Sequence, residues 1–215
     1  MRLRPLPLLC LCLPPLAAAP AFAQPRAWRA DPVHTQVMFS IDHQGFNRSL
    51  GLFKISDGRL QFDADDWSSA QLDVSVDVAS LLLGDAKWEE AVKSWRFLDA
   101  KRWPQARYRS RSVERGEDGR GTIRGELELH GRTHPLDLQF RLNKLASDPY
   151  TFKRTAGFSA TATLRRSDYG IDKVMSAVGD AVELRIEAAF VRDRDAADPP
   201  ATTSATKDDS DGLEE

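Results

Sequence analysis

Apolar and polar residues alternate with a period of two along most of the chain, as they do in strands that bury one face and wet the other. Val37, Phe39 and Ile41 alternate with more polar neighbours, and Leu60 and Phe62 follow a turn at Asp57-Gly58. Leu72, Val74, Val76 and Val78 alternate with Asp73, Ser75 and Asp77 in the clearest run of all. The pattern returns in Ala106, Tyr108 and Ser110, in Ile123, Leu127 and Leu129, and in Leu136, Leu138, Phe140 and Leu142. It ends with Phe158, Ala160, Ala162 and Leu164, then Leu184, Ile186, Ala188 and Phe190. Turn residues separate most of these runs, at Gly116 to Gly121, Gly131-Arg132 and Gly179-Asp180. The pattern predicts an all-β fold with one dry face. About eight such strands can close into an antiparallel up-and-down, lipocalin-like barrel, which removes the edges; a two-sheet sandwich is the alternative.

Residues 79–105 break the alternation. Asp85 is placed to cap a helix, and Trp88, Ala91, Val92, Trp95 and Leu98 then fall at helical spacing among Lys87, Glu89, Glu90 and Lys93. Pro104 follows its end. One amphipathic helix is therefore expected between two strands, its Trp-rich face laid on something apolar. It either plugs or flanks the barrel, or forms part of a ligand mouth. Residues 166–180 make a second long connection.

The two ends differ from the body. Arg2 and Arg4 precede an apolar stretch from Leu6 to about Ala19, too short and too broken by proline to span a bilayer stably. Ala21-Phe22-Ala23 then matches the small-x-small pattern of a signal-peptide cleavage site. Residues 1–23 are expected to be a signal peptide, with a mature chain starting at Gln24 and exported to the periplasm. Leu9 and Leu11 precede the two cysteines, Cys10 and Cys12, so a lipoprotein signal does not fit. Residues 193–215 hold eight acids against two bases, a net of −6, with Pro199, Pro200 and almost nothing to bury. They read as a disordered acidic tail behind a domain at 24–192.

Composition removes several kinds of function. The chain has 215 residues, room for one domain of ordinary size. A net charge of −2 gives no overall drive toward nucleic acid. The mature chain has no cysteine, which excludes thiol chemistry, a Cys-based metal site and a disulfide framework. His34, His43, His130 and His134 lack HxH or HExxH spacing, so hydrogen-bonded turn histidines are expected rather than zinc ligands. No GxSxG elbow and no Gly-rich phosphate loop is present. Arg107, Arg109 and Arg111 form a basic stripe, but Tyr108 points to the other face, so no stacking platform for nucleic acid accompanies it. The reading is of a protein that is not an enzyme and has no metal.

What remains is the barrel interior. Small inward positions at Gly125, Ala160, Ala162 and Ala188 could leave room for a narrow apolar guest, or Phe39, Phe140, Phe158 and Phe190 could fill it. Four segments bear on that choice. Asp31-Pro32-Val33-His34-Thr35 leads into Val37-x-Phe39, His43-x-Gly45-Phe46 and Gly51-x-Phe53. Phe97-Leu98-Asp99-Ala100-Lys101-Arg102-Trp103-Pro104 follows the helix, and Gly125 to Leu136 contains Glu126-Leu127-Glu128-Leu129-His130-Gly131-Arg132. Arg166-Ser167-Asp168-Tyr169-Gly170 precedes Val178-Gly179-Asp180-x-Val182. In this order the segments resemble the YceI-like, polyisoprenoid-binding family of periplasmic proteins, over about residues 30–190.

The resemblance implies a lipocalin-like barrel whose elongated cavity holds a long-chain amphiphile: a polyprenyl, a quinone-type isoprenoid or a fatty acyl chain. It brings no catalytic set and no cofactor beyond such a bound lipid. The expected lining, inferred from strand alternation, is Phe39, Ile41, Phe53, Val74, Val76, Trp88, Val92, Trp95, Leu127, Leu138, Phe140, Phe158, Ala160, Tyr169, Leu184 and Ile186. The expected partner is a lipid or isoprenoid quinone, for transport, storage or sequestration, without nucleic acid. Transient contact with the membrane and a homodimer are further expectations. The alternative is a filled barrel that binds a partner or serves a stress response without lipid.

Overall fold

The structure is a computed structural model that describes residues 26–195. The expected signal peptide and residues 196–215 of the acidic tail lie outside the described residues. Ten strands form one antiparallel sheet: β1 (Arg26–Ala30), β2 (Gln36–His43), β3 (Asn47–Phe62), β4 (Gln71–Leu82), β5 (Gln105–Arg115), β6 (Arg120–Leu129), β7 (Arg132–Pro135), β8 (Leu138–Ser147), β9 (Arg154–Arg165) and β10 (Val178–Arg192). The circuit β10-β2-β3-β4-β5-β6-β8-β9 closes by pairing β9 with β10, from Ala181 opposite Arg165 to Val191 opposite Thr155. That closure excludes the sandwich.

Two strands extend the ring. β1 takes the place of β2 between β10 and β3, pairing Trp28 with Arg192 on one side and with Leu60 on the other. It is thus the first half of one interrupted strand, broken at Asp31–Thr35, where Asp31 accepts bonds from the Val33 and His34 amides. β7 pairs only with β6, at the opposite end of the barrel.

Alternation locates most inward residues, but bulges move some. Between Ser110 and Ser112 the register of β5 against β6 slips, so Val113 points inward in place of Ser112. Tyr108 faces inward, and its one hydroxyl proton is shared between the carbonyls of Ile123 and Leu136, at 3.2 and 3.1 Å. A Cβ on Gly125 would meet that hydroxyl at 2.4 Å, which accounts for a glycine in mid-strand. The arginine stripe faces solvent and is paired: Arg107 with Asp73, and Arg111 with Glu126.

One end of the barrel is stoppered. A 3-10 turn at Trp67–Ser69, capped by Asp66, drives the Trp67 ring into the opening between β3 and β4. Trp67 stands 5.9 Å from Phe62 and 5.3 Å from Phe140, and Phe158 lies about equally close to Phe62, Phe140 and Phe190. The indole N–H of Trp67 donates to the Ala64 carbonyl and that of Trp28 to the Phe62 carbonyl, so both rings are buried without an orphaned donor. Arg115 lies over the outer face of Trp67, 4.9 Å from the ring centre.

The opposite end carries the two long connections. The helix α1 (Ala86–Lys93) begins where expected, with the Asp85 carboxylate accepting from the Trp88 amide. It stops earlier than the apolar spacing suggested. Ser94 turns extended and its hydroxyl donates to the Ala91 carbonyl, after which Leu98 and Ala100 bond back to Val92 and Lys93. The chain folds over itself and Trp95 swings outward, 70% exposed.

The first residue of the expected tail contacts the barrel. Asp193 accepts from the Arg29 guanidinium at 2.8 Å and its amide bonds to the Ala27 carbonyl.

Candidate functional site: a two-chambered apolar cavity

Inward-facing residues behave differently along the barrel axis. At the stoppered end Trp28, Phe62, Trp67 and Phe190 are each less than 5% exposed. Nearer the other end Val37, Phe39 and Ile41 on β2, with Val182, Leu184 and Ile186 on β10, face inward yet are only half-buried. The interior there is hollow. Part of each of these apolar surfaces faces empty space, which native cores avoid.

The hollow forms two chambers. The lower one, about 140 Å³, has a wholly apolar surface above the aromatic stopper, framed by Leu60, Phe62, Phe140, Phe158 and Phe190. The upper one, about 590 Å³, lies under α1 and the connection between β9 and β10. Val37, Val76, Leu127 and Leu184 border both. They come from β2, β4, β6 and β10, of which β10 and β2 are neighbours in the ring, and form a waist of branched side chains. Ligand pockets commonly measure about 300–1,000 Å³. An apolar void of about 150 Å³ stays dry and accepts a benzene-sized guest.

The expected lining separates accordingly. Phe39, Ile41, Phe53, Trp88 and Val92 line the upper chamber; Val74, Leu138, Phe140, Phe158, Ala160 and Ile186 line the lower; Val76, Leu127 and Leu184 sit at the waist. Two expectations are corrected. Trp95 points to solvent, because the helix ends before it. Tyr169 is 1% exposed and packs into the wall behind the cavity, where its carbonyl meets His130 Nδ1 at 3.1 Å and its ring meets His134 at 5.2 Å. Burial pushes its hydroxyl up to about 12. The two histidines of the β6–β7 hairpin therefore anchor the last loop. Among the described residues no three His, Cys, Asp or Glu side chains converge as a metal site would require.

Several lining residues escaped the sequence reading. Leu83, Phe97 and Leu98 reach the upper chamber from the segments flanking α1, and Ile171, Val174 and Ala177 reach it from the β9–β10 connection. Helical spacing already pointed to Leu98; the other five lie in loops, which carry no periodicity that could have found them. His43, Ser49 and Arg166 also line this chamber. His43 and Ser49 continue the inward series of β2 and β3, and that alternation could have located them.

Apolar groups ring the mouth. Phe46 on the β2–β3 hairpin is 85% exposed, and Trp88, Val174 and Met175 are each about 40% exposed. These elements touch: His43 packs on Trp88 with ring centres 6.2 Å apart, and the Gln44 amide donates to the Ala177 carbonyl.

A barrel stoppered at one end, hollow toward the other and roofed by a short helix is a lipocalin-like barrel. The YceI-like domain model matches residues 28–190, and the chain belongs to that family. A UPF0312 protein of Pseudomonas putida is 32% identical over 161 residues, covering 75% of this chain and 83% of that protein. One of Pseudomonas syringae is 33% identical over 156 residues, covering 73% and 81%. Among solved structures, Burkholderia cenocepacia BcnA is similar with a TM-score of 0.67 at 21% identity, covering 74% of this chain and 98% of that one. A polyisoprenoid binding domain from Saccharophagus degradans gives 0.59 at 11% identity, covering 78% and 99%. At such identities the structural likeness speaks to the fold.

Proposed function

We propose that this protein holds one long-chain isoprenoid or similar amphiphile in the two-chambered cavity and carries, stores or sequesters it in the periplasm. The observation that carries the reading is the hollow interior: apolar side chains that alternation directs inward, left half-buried around an apolar space. Family membership and the polyisoprenoid binding domain among the structural neighbours support it. Each buried methylene is worth about 0.8 kcal/mol. Some ten of them would give gross stabilisation of about 8 kcal/mol without a charged anchor.

Entry is through the mouth. Phe46, Trp88, Val174 and Met175 suit brief contact with a membrane surface, from which an insoluble chain could pass into the upper chamber without crossing water.

Tryptophan emission tests the reading. Trp88 lines the chamber and Trp95 does not, so isoprenoid added to the delipidated protein should shift emission in wild type and in Trp95→Phe, but far less in Trp88→Phe. Equal responses from both variants, or none from wild type with any long-chain amphiphile, would contradict it.

A further inference from the structure

The upper chamber is electrically one-sided. Arg96 and Arg166 line it, with His43 beside them, and no aspartate or glutamate does. Arg166 is 4% exposed. Its guanidinium donates from Nε to the Gly179 carbonyl, from Nη1 to those of Ile171 and Lys173, and from Nη2 to that of Val178, at 2.6–2.9 Å. A guanidinium has five N–H groups, so one on Nη2 keeps no protein acceptor. Carbonyl dipoles solvate this cation but do not neutralise it. Asp180 and Asp172 act on it through space, but neither bonds to it, and the Asp180 carboxylate is taken by Arg165 and by the amide and hydroxyl of Ser167.

Arg96 adds a second positive group. It stands on the turn after α1, and its guanidinium makes no hydrogen bond or ion pair with any described residue. Stapling the β9–β10 connection explains the carbonyl contacts of Arg166. It explains neither a lining that holds two arginines and no acidic side chain nor the unpaired guanidinium of Arg96. Burial holds the Arg166 guanidinium below its ordinary value.

We propose that the upper chamber selects amphiphiles with an anionic head group, a carboxylate or a phosphate ester, which Arg166 and Arg96 receive while the chain runs down past the waist into the apolar lower chamber. This rests on the chain-binding reading above. A charge-assisted bond is stronger than a neutral one, and more so where the surroundings exclude water.

The test compares head groups on one chain. Hexadecanoate, hexadecyl phosphate, 1-hexadecanol and hexadecylamine are titrated into delipidated protein and followed by Trp88 emission. At least one of the two anions should bind about tenfold tighter than the alcohol, equivalent to about 1.4 kcal/mol, and the amine should bind worst. Whichever anion is tighter identifies the head-group chemistry. Arg96→Gln should shrink the preference several-fold and leave alcohol binding unchanged; this exposed residue can be changed without disturbing the fold. Arg166→Gln should do the same, provided its melting curve shows that the loop has held. Equal affinity for anions and alcohol, or tighter binding of the amine, would overturn the head-group proposal and leave chain binding intact. Failure of all four ligands would overturn both.

Discussion

Truncating phenylalanines at the two ends of the barrel separates a packed region from a hollow one. Phe140 is 7% exposed and contacts Trp67 and Phe158, with ring centres at 5.3 and 6.2 Å. Phe140 borders the narrow lower chamber on one side, but Phe140→Ala also empties its packed contacts with Trp67 and Phe158 and should cost about 3–5 kcal/mol. A domain of this size loses about 2–4 °C per kcal/mol, so its melting point should fall by roughly 6–20 °C. Phe53 is half-buried, stacks on Phe39 at 5.5 Å and otherwise faces the upper chamber. Phe53→Ala merely enlarges a space that already exists. It forfeits about half of a buried ring's transfer energy and one aromatic contact, about 1–2 kcal/mol in all. Chemical or thermal unfolding followed by circular dichroism reads both costs. The protein must be delipidated first, since a bound ligand stabilises the native state by mass action. Phe53→Ala should also accept bulkier chains. Equal large losses at both sites would mean that the upper chamber is packed, and the hollow-barrel argument would fail.

Three other outcomes follow from the structure. Truncation after Asp195 should leave the melting point nearly unchanged, whereas truncation after Arg192 removes the Arg29–Asp193 contacts and should lower it measurably; a large loss from the first would show that the tail supports the barrel. The Arg107 guanidinium holds the Asp73 carboxylate below its usual range, so the pair stabilises the fold above the unfolded-state value and that contribution is lost as pH falls through the folded one. Both side chains are about 40% exposed, so Asp73→Asn should flatten the acid limb of a stability–pH curve by about 1 kcal/mol or less. N-terminal sequencing of the exported protein should begin at Gln24; a start elsewhere would remove the basis for placing it in the periplasm.

The barrel was largely legible because strand alternation is a local signal that the sheet preserves. Val74, Val76, Phe140, Phe158 and Ile186 sit on the inner face that their spacing assigns. The errors arise where a local event overrides the period. Ser94 takes the chain out of the helix, so Trp95 lost the face that helical spacing gave it. A bulge in β5 puts Val113, which the alternation did not reach, on the inner face. The hollow itself was not legible. A void is a small difference between the space the ring encloses and the volume of the side chains that fill it, and composition fixes neither closely enough. Arg166 was visible only as the first residue of the Arg-Ser-Asp-Tyr-Gly segment. Its burial among four carbonyls depends on how the following loop folds back over it.

Whether the cavity is occupied is settled most directly by weighing the protein. Protein purified without detergent and examined by native mass spectrometry should show a mass excess of one long-chain amphiphile per chain, which solvent extraction releases and identifies. Repeated preparations at the bare protein mass, together with no uptake of any isoprenoid or fatty chain offered to the delipidated barrel, would contradict the account and favour a barrel that serves some other partner.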